Sequence, residues 1–170
     1  MDILIIIMLI LLNGILSMTE MAFVSSRKYR QQADDRFLST IQIGITLIAI
    51  LTGLFSGETL TDNLAAVLAR WEPLANQADW ISKVLIVTVV TYLTLVIGEL
   101  VPKRIGLMAA DKVAGTMSAL MKLLRKITYP SVWLLSKSTR GLLVILGMGN
   151  MKEAKVTEEE IKALIEEGKE

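Results

Sequence analysis

Neither cysteine nor histidine occurs among the 170 residues. Disulfides, thiolate nucleophiles, zinc sites built on thiolate or imidazole, and histidine proton relays are thereby excluded within this segment. Proline occurs 3 times and aromatic residues make up 5% of the chain. A nucleic-acid face of basic residues interleaved with stacking rings is therefore not available. The net charge of +1 points the same way, since Lys and Arg stand beside apolar runs and form no separate basic surface. Internal repeats and low-complexity segments are also missing. What the chain has in excess is apolar surface: 53% hydrophobic residues and a mean hydropathy of +0.56, far on the apolar side for a soluble domain and fitting a membrane protein.

Crossing a bilayer takes about 20 predominantly apolar residues. Three segments qualify, over 3–24, 37–56 and 80–101. The first is not a removable secretory signal, because Asp2 stands where a basic n-region belongs and Glu20 where a small-residue cleavage site belongs. Orientation follows from the Lys/Arg bias of the connections. The first connection carries Arg27, Lys28, Arg30 and Arg36, the second only Arg70 and Lys83 against Glu58, Asp62, Glu72 and Asp79, and the stretch after the third span is basic from Lys103 to Lys126. The N-terminus is expected outside and the C-terminus in the cytoplasm, in a cell (inner or plasma) membrane.

Two weaker apolar stretches follow. Residues 107–127 mix Leu and Met with Asp111, Lys112, Lys122, Arg125 and Lys126, as a helix lying in the inner interface would. Residues 131–148, after the Tyr129-Pro130 break, carry Lys137 and Arg140 centrally; two cations at mid-bilayer are costly, which favours a second juxtamembrane helix over a fourth span. On the outside, 58–78 can form a short amphipathic helix around Leu64, Val67, Leu68 and Trp71. At 150–170 the composition turns acidic. Thr157 as N-cap with Glu160 at the capping-box position opens a helix with Ile161, Leu164 and Ile165 on one face, expected to lead into a cytoplasmic domain beyond this chain. The predicted fold is thus all-α: three transmembrane helices, amphipathic juxtamembrane helices and a cytoplasmic C-terminal helix.

Polar residues inside the spans carry the functional argument. At about 100° per residue, Asn13, Ser17 and Glu20 share one face of the first span, Ser39, Gln42, Thr46, Gly53 and Gly57 one face of the second, and Thr91, Tyr92, Gly98 and Glu99 one face of the third. For the small residues the alternative reading is helix packing, and Gly53-x-x-x-Gly57 is a known contact spacing. An ionisable residue within a span is a functional candidate by default, which singles out Glu99 and Glu20. Pro102 adds to the case for Glu99: it has no N–H for the Gly98 carbonyl four residues earlier, so the helix must open there and leave an oxygen seeking a partner.

Carboxylate, hydroxyl, amide and carbonyl oxygens without nitrogen or sulfur suit a hard cation such as Mg²⁺, Ca²⁺, Mn²⁺ or Na⁺. Lys103 reads either as a snorkelling interface anchor or as a partner that takes Glu99 when the cation leaves. An enzyme is disfavoured, because no nucleophile and base pair is evident. A membrane anchor or sensor that binds a cation without moving it is the alternative to a transporter.

Three motifs in order, Leu16-Ser17-Met18-Thr19-Glu20-Met21-Ala22, Ser39-Thr40-Ile41-Gln42-Ile43-Gly44 and Gly98-Glu99-Leu100-Val101-Pro102-Lys103-Arg104, resemble the membrane domain of the CorC and cyclin-M (CNNM) magnesium transporters over nearly the whole chain. The resemblance implies a homodimer with three transmembrane helices per subunit, a belt of juxtamembrane helices, and a dehydrated Mg²⁺ among the spans, with Na⁺ as the candidate coupling ion. Carried over by position, it makes Ser17, Ser39, Gln42, Gly98 and Glu99 the metal site, with Glu20 and Ser25 as weaker matches, Pro102 shaping the site and Lys103 beside it. It also implies a regulatory CBS module binding ATP, which this chain does not contain. One departure is the inner loop from Ser26 to Arg36, shorter than the resemblance leads one to expect.

Overall fold

The computed structural model describes residues 2–73 and 75–148. They are helical with no strand. The expected N-cap at Thr157 and its helix lie outside the described residues.

Helix α1 is Asp2–Ser25, α2 is Asp35–Leu68, and α3 is Ala78–Leu95. From α3 the chain runs without a break through a π-helical turn, Val96–Leu100, into α4, Val101–Met108. Helix α5 is Ala110–Ile145. Among the described residues, three helical stretches are long and apolar enough to cross a membrane: Ile3–Ser25, Asp35–Leu68 and Ala75–Met108. The three expected spans are borne out.

Two boundaries differ from expectation. Helix α2 continues past Ser56 to Leu68, absorbing part of the predicted outer amphipathic helix, because neither Gly57 nor the acidic residues after it remove a backbone donor. The expected break at Tyr129-Pro130 is also absent: Pro130 lies inside α5. One proline deletes one hydrogen bond, and the helical residues on either side are enough to carry the helix on.

The chain divides into two units, residues 1–129 and 130–170. In the first, many polar residues are buried and many apolar ones exposed. Asn13, Ser17, Thr19, Thr40, Thr52, Ser56, Thr61 and Ser82 are buried, while Ile3, Leu4, Ile7, Met8, Leu11, Ile50 and Leu54 are exposed. Apolar side chains cost nothing against lipid, whereas each polar group must find a partner within the protein. Half of those named do so within their own helix: the hydroxyls of Thr19, Thr40, Thr52 and Ser56 donate to the carbonyls of Ile15, Arg36, Ile48 and Gly53.

An apolar cluster between α1, α2 and α5 joins Phe23, Phe37, Ile41 and Ile48 to Ala114 and Met121. The rings of Phe23 and Phe37 lie 4.5 Å apart. Helix α2 starts at Asp34, whose carboxylate accepts from the Phe37 amide at 2.9 Å, occupying one orphan donor of the first turn. The same carboxylate accepts from Arg125 Nη2 at 2.8 and 2.9 Å, tying α5 to the start of α2.

A second tie holds α5 to the end of α1. The buried Ser26 hydroxyl donates to Asp111 Oδ1 and accepts from the Tyr29 amide at 3.0 Å. Asp111 is held below its ordinary value of 3.8, first by the Ser26 hydroxyl, then by a backbone N–H of Lys28 and the charges of Arg27 and Lys28, with burial opposing. A depressed carboxylate stabilises the fold above its unfolded value, and that contribution drains away as pH falls through the lowered folded value. As pH falls from about 5 through the ordinary carboxylate value and on below it, the wild-type protein should therefore lose more thermal stability than Asp111→Asn, as melting in detergent would show; equal losses would mean the tie carries no pH-dependent stability.

In the second unit, among the described residues, Lys137 Nζ lies 4.2 Å from the Trp133 ring centroid, one turn away along α5.

Candidate cation site

The site lies where α1 crosses the π turn. Gly14 and Gly98 make the crossing close: a Cβ on Gly14 would lie 3.0 Å from Pro102 Cγ and 3.1 Å from the Ile97 carbonyl oxygen, and one on Gly98 would lie 3.2 Å from the Ile10 carbonyl oxygen. Further in, a Cβ on Gly106 would run into the Met18 carbonyl oxygen and lie 3.2 Å from the Ala22 nitrogen. Backbone therefore meets backbone along α1, the π turn and α4, as small residues permit in membrane helices.

The predicted opening at Pro102 takes the form of the π turn, in which the Val101 amide donates to the Val96 carbonyl. The Gly98 carbonyl has found a partner that sequence reasoning missed: Asn13 Nδ2 donates to it at 3.0 Å in a buried contact between positions 85 apart. Asn13 was legible as part of the α1 polar face, but only the crossing register reveals its partner. That contact also fixes the amide orientation, since the opposite rotamer would set two acceptors against each other. Asn13 Oδ1 is left buried and, among the described residues, without a hydrogen-bond partner.

One turn further along the same face, Ser17 is 1% exposed and its Oγ has no partner either. Each such buried orphan costs about 1–3 kcal/mol. Thr19, two residues on, avoids that cost through the Ile15 carbonyl; Ser17 does not. Next on this face is Glu20, whose Oε2 lies 3.8 Å from Lys103 Nζ, while Glu99 Oε1 accepts from the same nitrogen at 2.8 Å. The structure thus brings Asn13 of α1 to Gly98, and Glu20 to Lys103 and through it to Glu99, with Pro102 packed on Gly14; Ser17 lies between Asn13 and Glu20 on the same helix face.

The other predicted site residues stand differently. Ser39 is half-buried, and Gln42 is exposed with Nε2 donating to Thr46 Oγ1 of its own helix at 3.4 Å. Ser25 directs its hydroxyl to Met21 Sδ at 3.5 Å. It lines a separate inner hollow of 320 Å³ with Arg27, Asp111 and Lys112.

The α2 stripe continues toward the C-terminal end of the helix from Gln42 and lines a groove of 560 Å³ against α3, with Gly53, Ser56, Gly57 and Thr61 on one side and Lys83, Thr91, Thr94 and Leu95 on the other. Gly53 and Gly57 have nothing within 4 Å of a Cβ position. Within this chain they are groove wall, not helix contact. The groove's α3 wall includes Leu95, the residue before the π turn.

Among the described residues no three Asp, Glu, His or Cys side chains gather as a metal cage. Two carboxylates with neutral oxygens nonetheless suit a small hard cation that keeps part of its water. Replacing Ser17 by alanine separates a structural role from a binding one. Removing an unpaired buried hydroxyl should leave thermal stability unchanged or raised, while a hydroxyl that serves as a ligand should cost cation affinity; calorimetric titration alongside melting reads both.

Three helices long and apolar enough to cross a membrane, with polar residues of the first meeting a π turn of the third, define a polytopic membrane domain with a candidate cation site. The sequence matches the family model for the cyclin M transmembrane N-terminal domain over residues 4–170, and the chain belongs to that family. It is 41% identical to a UPF0053 protein of Synechocystis over 94% of this chain and 40% of the relative. It is 28% identical to the UPF0053 protein YhdP of Bacillus subtilis over 78% of this chain and 30% of the relative. To the polyamine export protein of Haemophilus influenzae it is 25% identical over 99% of this chain and 43% of the relative. The chain thus spans less than half the length of these relatives.

Proposed function

We propose that this chain is the membrane domain of a transporter that moves Mg²⁺ out of the cytoplasm, by efflux or by exchange with Na⁺. The observation that supports it most is that two of the buried oxygens without a partner among the described residues, Ser17 Oγ and Asn13 Oδ1, stand one turn apart on the α1 face whose Asn13 amide holds the Gly98 carbonyl. Orphaned oxygens are retained against their cost where a ligand uses them. Mg²⁺ is bound through one or two carboxylates plus neutral oxygens and water, at about 2.0–2.1 Å. Glu99 and Glu20 supply charge, Gly98, Ser17 and Asn13 supply geometry, and Ser39 and Gln42 join when α2 turns its polar stripe toward α3. The groove past Gly53 and Gly57 is the outward path, and the inner end is cytoplasmic by the Lys/Arg bias. Two copies form the working unit. ATP acts only through a cytoplasmic module outside this chain.

A second reading has its own observation. The Lys103 ammonium sits within 2.8 and 3.8 Å of the two carboxylates, so the pair accepts a primary alkylammonium, the end group of a polyamine; one relative is named a polyamine export protein.

Purified protein in vesicles, assayed for Mg²⁺ and for spermidine flux with and without a Na⁺ gradient, tests both. Mg²⁺ flux above empty vesicles supports the first reading and spermidine flux alone the second. Mg²⁺ binding with no flux of either would make the protein a cation-binding anchor or sensor.

A further inference from the structure

We propose that Lys103 is a tethered competitor: its ammonium holds the two site carboxylates, and the transported cation must displace it to bind. The proposal rests on the Mg²⁺ reading above and names what sets the affinity of that site. Lys103 stands one turn after Glu99, and Glu20 reaches it from α1, so one ammonium bridges two helices. The side chains of Lys103, Glu20 and Glu99 are 31%, 28% and 40% exposed, close enough to water for the ammonium to leave.

Lys103 holds Oε1 of Glu99 at 2.8 Å, and a Mg²⁺ arriving on either oxygen of that carboxylate brings a double charge that repels an ammonium so near. The backbone cannot yield, because Gly106 locks α4 against the Met18 carbonyl of α1. The side chain can, since lysine is a compact point charge on a four-carbon stem with freely rotating donors, able to swing toward the interface. Arginine would instead grip the carboxylate with a fixed two-pronged fork. Return of the ammonium then competes the cation off the carboxylates, so the same residue that weakens binding speeds release.

Three measurements test this. Lys103→Met should bind Mg²⁺ about tenfold or more tightly by calorimetric titration in detergent, and should release it more slowly from preloaded protein. Lys103→Arg should bind more weakly than wild type. In the wild-type protein, acetylation of Lys103 by an amine-reactive ester, read by mass spectrometry, should accelerate when Mg²⁺ is added. Unchanged affinity in Lys103→Met would overturn the proposal, as would a labelling rate indifferent to Mg²⁺; the labelling needs no variant to fold. Wild-type binding without these effects removes the lysine's role alone. No Mg²⁺ binding by wild type or either variant removes the transport reading as well.

Discussion

Gly106→Ala is expected to abolish the folded membrane domain or leave it barely stable, with a cost of about 2–3 kcal/mol or more. The added methyl would collide with the Met18 carbonyl oxygen and crowd the Ala22 nitrogen. Both are backbone atoms of a helix, with no rotamer to change, so α1 and α4 must separate and take Glu20 away from Lys103. Two controls grade the argument. At Gly44 the same methyl meets Leu16 Cδ1 at 2.7 Å, the far end of a flexible side chain that can rotate aside, and the cost should be small. At Gly53 nothing lies within 4 Å, and alanine should be neutral or stabilising by up to about 1 kcal/mol through helix propensity. Thermal melting of the three variants in detergent should rank Gly106→Ala far below Gly44→Ala, and Gly44→Ala at or below Gly53→Ala. Equal stability of all three would mean the α1–α4 contact is not made.

Glu99→Gln should lower Mg²⁺ affinity by about 2 kcal/mol, roughly thirtyfold, and flux in proportion, while the protein still folds. Glutamine keeps the shape and one acceptor oxygen but loses the charge that offsets the cost of dehydrating a divalent ion. It also leaves Lys103 with Glu20 alone, 3.8 Å away. Glu72→Gln, in the exposed connection between α2 and α3, should change neither quantity. Undiminished binding in Glu99→Gln would remove this carboxylate from the site.

Much of this was legible from residue order. The three spans follow from runs of apolar residues, and the opened helix at Gly98 follows from Pro102 having no N–H to offer. The Lys103–Glu99 pair follows from their spacing of one turn. What residue order could not supply was how helices cross. Asn13 and Gly98 meet across 85 positions because Gly14 and Gly98 allow backbones to touch at one particular height, and no periodicity within a single helix encodes that height. The same limit affected Gly53 and Gly57: their spacing fits a helix contact, yet they face the groove. Helix ends differ where 58–78 reads as a separate amphipathic helix after the second span, and where Pro130 reads as a stop; charge and one missing donor are each weaker than the remaining hydrogen bonds of a long helix.

The central claim is that oxygens of α1 and of the π turn enclose one hard cation. Mn²⁺ shares the oxygen preference of Mg²⁺ and scatters anomalously. An anomalous difference map from crystals of the protein soaked in Mn²⁺ should show a peak within coordinating distance of Glu99 and Ser17, with the Lys103 ammonium turned away. A peak elsewhere, with Ser17, Gly98 and Glu99 all out of reach, would contradict the account.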